Sequence, residues 1–263
     1  MLRDRALLDE VEKSGAIVMR IYRFAPAGIT LGAHQDPQRE LDLERCERDG
    51  VRWAVRPTGG RAIFHDDEWT YAFAAPIDHP EWGGGLLEAY DRVSRVIVSS
   101  LLRLGVPASL ARSGGARAGT ASRAEVAAPC FTSTARHEIV VANRKLVGSA
   151  QRRTATVYLQ QGSVLLGEGH LRLVDYLNLE LEARERERQA LTGAAVSARR
   201  WLGERAPLER WAEALRASFS VPGEPAWSGG SRSRLALEKP PSYTVSNVVP
   251  EMARLRTPGE THS

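Results

Sequence analysis

The sequence predicts a single α+β domain, residues 4–221, followed by an extension, residues 222–263, that we expect to be disordered or loosely packed. A chain of 263 residues with 43% hydrophobic side chains is long enough for one large core. Short β-branched runs bounded by turn residues occur between stretches with apolar residues at helical spacing, which predicts both strands and helices. Pro, Gly and Ser dominate from about Pro222 onward, and no periodicity survives there.

The N-terminal part predicts alternating short helices and strands. Asp4–Lys13 is an amphipathic helix, Ile17–Phe24 is a strand, and residues 25–32 form a turn and a second short strand. Asp36–Arg48 opens with an Asp-Pro pair, which is typical of a helix N-terminus, so we expect one helix there. Cys46 lies on the apolar side of that helix, and a buried, inert thiol is favoured over a reactive one.

Further strands are predicted at residues 53–55, 62–64 and 69–73. Residues 81–104 hold the longest helical pattern, which we interpret as core scaffold. The alternating Arg and Glu of residues 180–189 predict a solvated helical face, and residues 201–219 predict one more amphipathic helix.

A hairpin followed by two more strands is predicted for residues 138–166. A β-branched run begins at Glu138, the pair Asn143-Arg144 predicts the turn, and Lys145 starts the return strand. Because strand side chains alternate, Lys145 and Val147 should share a face.

The segment Arg56-Pro-Thr-Gly-Gly-Arg-Ala62 is a candidate binding loop. Its glycines let the backbone approach a ligand, while amide N–H groups and two guanidinium groups face a polar or anionic moiety. A plain Gly-Gly turn between two strands explains the same residues equally well. His65 stands beside Asp66 and Asp67, but the sequence has no second His or Cys at ligand spacing, so an ordered turn is favoured over a metal site.

Cys130 is the second candidate. A cysteine thiolate is both a good nucleophile and a good leaving group for a thioester, and a nearby cation such as Lys145 would favour the thiolate. Position and composition alone favour a different interpretation, in which Cys130 is a small buried side chain and Lys145 a surface lysine. A loop rich in Gly, Ala and Ser, Ser113–Arg123, leads into the cysteine and is either a mobile cover or a long connection.

Charge and cysteine content restrict the function classes. The net charge of +4 is a mild basic excess spread along the chain, which suits an acidic protein partner at least as well as nucleic acid. No stripe of aromatic and basic residues suited to stacking bases is present. Two cysteines make no disulfide framework, and the first residues read as neither a secretion signal nor a membrane span. We therefore expect a cytoplasmic protein without a membrane partner.

Three motifs in order resemble the lipoate and biotin protein ligase superfamily, and within it the octanoyltransferases that load lipoyl domains. They are the segment Arg56–Ala62 with His65, the segment Glu138–Arg153, and the segment Leu159–Leu166. The resemblance runs roughly from residue 4 to residue 219. Cys130, followed by Phe and placed 15 residues before the motif lysine, is similar to the nucleophile of the LipM-type cysteine octanoyltransferases.

The resemblance implies a fold, a reaction and partners. The fold is the class II biotinyl/lipoyl synthetase-like catalytic fold, a central mixed, largely antiparallel sheet flanked by helices, with an acyl tunnel under the Arg56–Ala62 loop. The implied reaction transfers octanoyl from octanoyl-acyl carrier protein, through a thioester on the cysteine, to a lysine of a lipoyl-domain acceptor such as the glycine cleavage H protein. No cofactor, ATP or metal is implied, and no nucleic acid.

The resemblance also assigns residues. Cys130 and Lys145 are implied to be catalytic. Substrate binding is implied for Arg56, Thr58, Gly59, Gly60, Arg61, His65, Gly148, Ser149 and Ala150. Apolar lining of the acyl pocket is expected from Ile63, Val147 and Leu165. A docking surface for acidic carrier proteins is expected from Arg112, Arg117, Arg144, Arg152 and Arg153, which would equally form an ordinary solvated face.

The sequence departs from this pattern at Gln161, where many relatives carry histidine before Gly-Ser. Three alternative functions stay open: an ATP-dependent lipoate-protein ligase indifferent to Cys130, a biotin ligase, and a non-catalytic module that binds acyl carriers. The arginine-rich glycine loop typical of biotin ligases is not matched, so the second is the least favoured.

Overall fold

The computed structural model describes residues 2–111, 138–204, 206–219 and 233–237. Its helices are α1 (Leu2–Ser14), α2 (Pro37–Glu40), α3 (Leu43–Arg48), α4 (Leu86–Arg103), α5 (Leu181–Ala194), α6 (Arg199–Leu202), α7 (Leu208–Phe219) and a 3-10 helix (Gly169–Tyr176). Its strands are β1 (Ile17–Tyr22), β2 (Gly28–Leu31), β3 (Arg52–Val55), β4 (Ile63–His65), β5 (Glu68–Pro76), β6 (Ser109–Leu110), β7 (Ile139–Val141), β8 (Arg144–Arg153), β9 (Val157–Leu165) and β10 (Ser233–Leu237).

Two sheets organise the described part of the chain. The larger has the strand order β10-β1-β5-β9-β8-β7-β6, and the smaller has the order β3-β2-β4. Neighbouring strands of the larger sheet are antiparallel except β1 and β10, which run parallel. In the smaller sheet, β2 is parallel to β3 and antiparallel to β4. The predicted α+β fold with a mixed, largely antiparallel central sheet is confirmed.

Helices cover both faces of the larger sheet. One face packs against α4 and α7, and its core includes the stacked rings of Trp69 and Trp211 with centroids 5.0 Å apart. The other face packs against the apolar side of α1, with Leu7 and Val11 against Leu159. This alternation follows from the strand repeat of two residues, because successive side chains point to opposite faces. The smaller sheet has its own core, in which Cys46 is buried as predicted.

Several predicted elements differ in their extent. The helix expected over residues 36–48 is two helices, because Leu41 bridges to Leu177 and Asp42 starts a new cap by accepting a hydrogen bond from the Arg45 amide. The helix expected over residues 201–219 is likewise split into α6 and α7. The prediction of two strands between the hairpin and residue 166 is also wrong, because the return strand β8 is continuous and is followed in that range by one strand, β9.

The hairpin turn lies one residue earlier than predicted. Ala142 and Asn143 both have positive φ angles, 49° and 63°, which is the backbone of a two-residue turn that matches strand twist. Lys145 follows Arg144, the first residue of β8, and lies close to the turn as expected.

The extension contains a strand that was not predicted. Residues 233–237 pair with β1, from Ile17 opposite Ser233 to Ile21 opposite Leu237. These five residues therefore form regular secondary structure that the composition of the extension did not indicate. The boundary near residue 221, the loop 113–123, Cys130, Arg112 and Arg117 lie outside the described residues.

Candidate functional site

A narrow cleft opens where the two sheets meet. It is lined by Tyr22, Thr30, Arg56, Ile63, His65, Thr70, Gly148, Ser149, Ala150, Gln161, Gly162 and Ser163. Its volume of about 20 Å³ suits roughly one water molecule. The cleft borders the Arg56–Ala62 loop, under which an acyl tunnel was expected, and at this volume it is too small to hold an eight-carbon chain.

The small residues of β8 and β9 make room for this cleft. Ser149 lies opposite Gly162, and the Ser149 hydroxyl is 2.8 Å from the Tyr71 hydroxyl. A Cβ atom on Gly162 would lie 2.4 Å from the Tyr71 ring and 2.6 Å from the Ser149 hydroxyl. Glycine is therefore required there for close packing of a ring on the strand.

Arg56 holds the shape of the neighbouring loop. Its buried guanidinium donates to the carbonyl and hydroxyl of Thr30 at 3.1 and 3.2 Å. It also donates to the carbonyls of Gly59 and Arg61, both at 2.8 Å. Arg56 lines the cleft, but these bonds make it the internal support of the loop.

The glycines allow this loop to close tightly. Gly60 has a φ of +89°, and a Cβ atom there would lie 2.8 Å from the Arg56 Nη2 atom. Gly32 faces the same segment, since its Cβ would lie 1.9 Å from the Gly60 carbonyl oxygen. Arg152 on β8 donates to the Pro57 carbonyl at 3.2 Å. The loop is thus held from β2 and β8 as well as from within.

A buried chain of hydrogen bonds ties the loop to the first helix. Thr58 donates to the Gln161 side-chain oxygen at 3.0 Å, and the Gln161 side-chain nitrogen donates to the Asp4 carboxylate at 2.8 Å. Asp4 is an ion-pair partner of Arg20. Because a carboxylate only accepts, the amide orientation of Gln161 is determined. Burial and the nearby Asp4 carboxylate raise the pKa of Tyr22 well above its ordinary value.

His65 lies at the centre of a second polar cluster. Its Nε2 atom is 2.7 Å from the Thr30 hydroxyl, and its Nδ1 atom is 2.7 Å from Glu68 Oε1. The hydroxyls of Thr70 and Ser163 donate to the same carboxylate oxygen at 2.6 and 2.9 Å. The cluster is an ordered polar arrangement in the wall of the cleft.

Lys145 is buried rather than exposed. Its ammonium donates to the Glu138 carboxylate at 2.6 Å, and 2% of Lys145 is exposed to solvent. Its carbonyl accepts from the Val196 amide at 2.9 Å, so the strand is held there too. Lys145 precedes Gly148 by three residues, about 10 Å along the strand. It therefore flanks the cleft without lining it.

The structure brings together five of the nine predicted substrate-binding residues as lining of the cleft, namely Arg56, His65, Gly148, Ser149 and Ala150. Thr58 and Gly59 belong to the adjacent loop and do not line the cleft, and Gly60 and Arg61 belong to the same loop.

Of the three apolar residues expected to line the acyl pocket, Ile63 lines the cleft. Val147 and Leu165 instead belong to buried core clusters. In the predicted docking set, Arg144 donates to the carbonyls at the end of α5, and Arg153 donates to the Gly84 carbonyl at 2.7 Å. These arginines therefore also support the fold.

Sequence reasoning missed several residues of the site, among them Asp4, Thr30, Glu68 and Ser163. Glu68 follows His65 by three residues across a turn, which is a usable signal for a paired carboxylate. Asp4 is a polar residue on the buried side of an otherwise amphipathic helix, and such a residue must find a partner. Thr30 and Ser163 carry no comparable local signal.

The described residues contain no group of three or more His, Cys, Asp or Glu side chains arranged to hold a metal ion. None of the helices in those ranges combines the length and apolar composition needed to cross a bilayer.

Residues 1–220 match the model of the lipoyl protein ligase A/B catalytic domain. The chain is 33% identical over 222 residues to the octanoyltransferase LipM of Carboxydothermus hydrogenoformans, covering 84% of this chain and 80% of the relative. It is 31% identical over 223 residues to the octanoyltransferase LipM of Bacillus subtilis, with 84% and 80% covered.

Solved structures share the fold. A bipartite lipoate protein ligase from Thermoplasma acidophilum superimposes with a TM-score of 0.64 at 17% identity, covering 82% of this chain and 75% of the other. A lipoate-protein ligase A bound with ATP superimposes with a TM-score of 0.59 at 19% identity, covering 84% and 80%.

Proposed function

This chain belongs to the family of lipoyl protein ligase A/B catalytic domains, and on that premise we propose that it transfers octanoyl from octanoyl-acyl carrier protein to a lysine of a lipoyl-domain protein, with Cys130 as the covalent carrier. The supporting observation is the identity of 31–33% to octanoyltransferases LipM over 84% of the chain. The chain is accordingly an acyltransferase of lipoate biosynthesis, and the proposal adds the donor, the acceptor and the covalent intermediate.

The proposed reaction has two steps. In the first, the Cys130 thiolate attacks the carrier thioester, a C–S bond forms on the enzyme, and the bond to the carrier sulfur breaks so that the carrier leaves as its thiolate. In the second, the acceptor amine attacks the enzyme thioester, a C–N bond forms and the Cys130 sulfur leaves. Exchange between thioesters is close to isoenergetic and amide formation is downhill, so no nucleotide is consumed.

The buried ion pair of Lys145 and Glu138 suits one part of this chemistry. A buried ammonium donor beside a site of acyl transfer stabilises negative charge on a carbonyl oxygen or a thiolate more strongly than it would in water. We propose that Lys145 has this role, and that Glu138 holds its side chain in place.

The first test is the intact mass of the protein after incubation with octanoyl-acyl carrier protein in the absence of ATP. Wild type and Cys46→Ala should both gain one octanoyl group, and Cys130→Ala should gain none. Addition of glycine cleavage H protein should discharge the adduct and label the H protein. An adduct that persists in Cys130→Ala would refute the assignment of the nucleophile.

A second candidate function is supported by the fold. The solved neighbours are lipoate-protein ligases, one of them bound with ATP. If the chain is such a ligase, H protein should be labelled when free octanoate or lipoate is supplied with ATP and magnesium. That labelling should survive Cys130→Ala, whereas transfer from the acyl carrier protein should not occur.

A further inference from the structure

We propose that Thr30, His65 and Glu68 form a proton relay that accepts the proton lost by the acceptor amine in the second step of the reaction. This inference rests on the proposed function and extends it, since it names the groups that handle the proton. The proton passes from the cleft wall at Thr30 to the imidazole of His65, and the buried carboxylate of Glu68 stabilises the charged ring.

The second step requires such an acceptor. A free lysine amine is mostly protonated near neutral pH, because its ordinary pKa is about 10.4, so it first loses one proton to solvent. Once the neutral amine attacks, the new C–N bond leaves positive charge on nitrogen, and the amide forms only when that nitrogen loses a proton. The C–S bond breaks at the same centre, and the departing Cys130 thiolate finally takes up one proton. A nearby base that accepts and returns a proton balances the step.

His65 is the suitable base among the residues that line the cleft. A neutral imidazole keeps a lone pair on one ring nitrogen, whereas the Arg56 guanidinium only donates and burial raises the pKa of Tyr22 well above its ordinary value. Lys145 acts as a hydrogen-bond donor in its ion pair with Glu138, which suits charge stabilisation rather than proton acceptance.

The hydrogen bonds determine which atom of His65 accepts. The Arg56 guanidinium only donates, so its 3.2 Å bond to the Thr30 hydroxyl uses a lone pair of that oxygen. The Glu68 carboxylate only accepts, so the neutral ring carries its proton on Nδ1 and its lone pair on Nε2. The Thr30 hydroxyl therefore donates its proton to His65 Nε2. A proton arriving at Thr30 from the cleft would therefore pass the existing Thr30 proton to Nε2.

Glu68 is placed to stabilise the imidazolium that results. It is 2% exposed, and its Oε1 atom accepts from the Thr70 and Ser163 hydroxyls as well as from His65. Its Oε2 atom has no hydrogen-bond partner among the described residues. A buried carboxylate that is only half satisfied destabilises the fold relative to a neutral side chain. The same carboxylate is favourable beside an imidazole that becomes charged during turnover.

The ring of His65 is also shielded and oriented. Phe24 stacks on it with a centroid separation of 3.9 Å and an interplanar angle of 12°. The stacked ring keeps one face of the imidazole dry and fixes its plane, so that Nε2 stays directed at Thr30. Glu68 and Phe24 are thus positioning residues, and Thr30 is the group that would contact the amine.

The two steps can be measured separately. Acylation is followed by intact mass in the presence of octanoyl-acyl carrier protein, and discharge is followed after addition of H protein to the isolated acyl-enzyme. We expect Glu68→Gln and Thr30→Val to slow discharge by about tenfold or more beyond any slowing of acylation, as befits loss of general-base catalysis. Glu68→Gln retains the size and one acceptor oxygen of the side chain, and Thr30→Val retains its shape.

Two further variants act as controls. Thr30→Ser keeps the hydroxyl and should restore most of the discharge rate. Asp66→Asn removes a partly exposed carboxylate, paired with Arg172, from the same turn, and should leave both steps close to wild type. Equal slowing of acylation and discharge, or Thr30→Ser as slow as Thr30→Val, would overturn the relay. A wild-type protein that forms no acyl-enzyme would overturn the proposed function and the relay with it.

Discussion

Replacing Asp4 with alanine should lower the free energy of unfolding by about 3–5 kcal/mol, because it leaves the charge of Arg20 buried without its carboxylate. Asp4 is fully buried and Arg20 is 8% exposed, so water cannot easily replace the lost partner. The change also removes the acceptor of the Gln161 amide, whose other end holds Thr58 in the binding loop. We therefore expect acyl transfer to weaken together with stability.

Chemical denaturation and thermal unfolding measure the effect. For a chain of this size, each kcal/mol shifts the melting temperature by about 2–4 °C, so a decrease of about 6–20 °C is expected. Glu182→Ala is the matched control, because its carboxylate is 93% exposed and pairs with Arg186 on the surface of α5; its loss should change stability by less than about 1 kcal/mol. A loss of that small size for Asp4→Ala would refute the reasoning. Replacing Asp4 and Arg20 together by leucine should recover part of the stability.

Three further predictions concern the loop, the free thiol and the docking surface. Gly60→Ala should lower stability by about 1–3 kcal/mol and reduce acyl transfer, while Gly15→Ala, with positive φ but open space around it, should only lower stability. Burial, reinforced by the nearby carboxylates, raises the pKa of the Cys46 thiol to about 11, so the stabilisation from burying the neutral thiol is present below pH 9 and is lost as the pH rises to about 11. Iodoacetamide at pH 8 should modify Cys46 only when the protein unfolds, and the Cys46→Ala variant should not show this loss of stability at alkaline pH. Charge reversal at Arg152 and Arg153 should weaken transfer from octanoyl-acyl carrier protein more than from a small octanoyl thioester, and equal losses with both donors would refute a docking role.

Local chemistry explains which elements could be predicted. The Asp36-Pro37 helix start is confirmed because the cap depends on neighbours: the Asp36 side chain accepts from the Gln38 amide at 3.0 Å. The break at Leu41 was missed because it depends on a bridge to Leu177, which is 136 residues away in sequence. Burial of Lys145 was likewise unpredictable from a hairpin pattern, since it depends on a carboxylate on the adjacent segment.

In the candidate site, too, features that depend on neighbouring residues were predicted and those that depend on distant residues were not. The glycines and arginines of residues 56–61 were identified because the conformation of a turn depends on residues that are adjacent in the sequence. The polar cluster was not, because Thr30, His65 and Ser163 come from three strands in two different sheets. The alternation within one strand predicts that a residue faces inward, but it does not reveal which polar residues of other strands it will meet.

The parallel pairing of β10 with β1 has a consequence for handling the protein. A shortened version ending at Phe219 would turn β1 into an open sheet edge, with a row of unpaired N–H and C=O groups along Ile-Val-Met-Arg-Ile-Tyr. Such an edge, apolar except for one arginine, is a template for pairing with a second copy and hence for aggregation. Expression of the catalytic part alone should therefore retain the chain at least to Leu237.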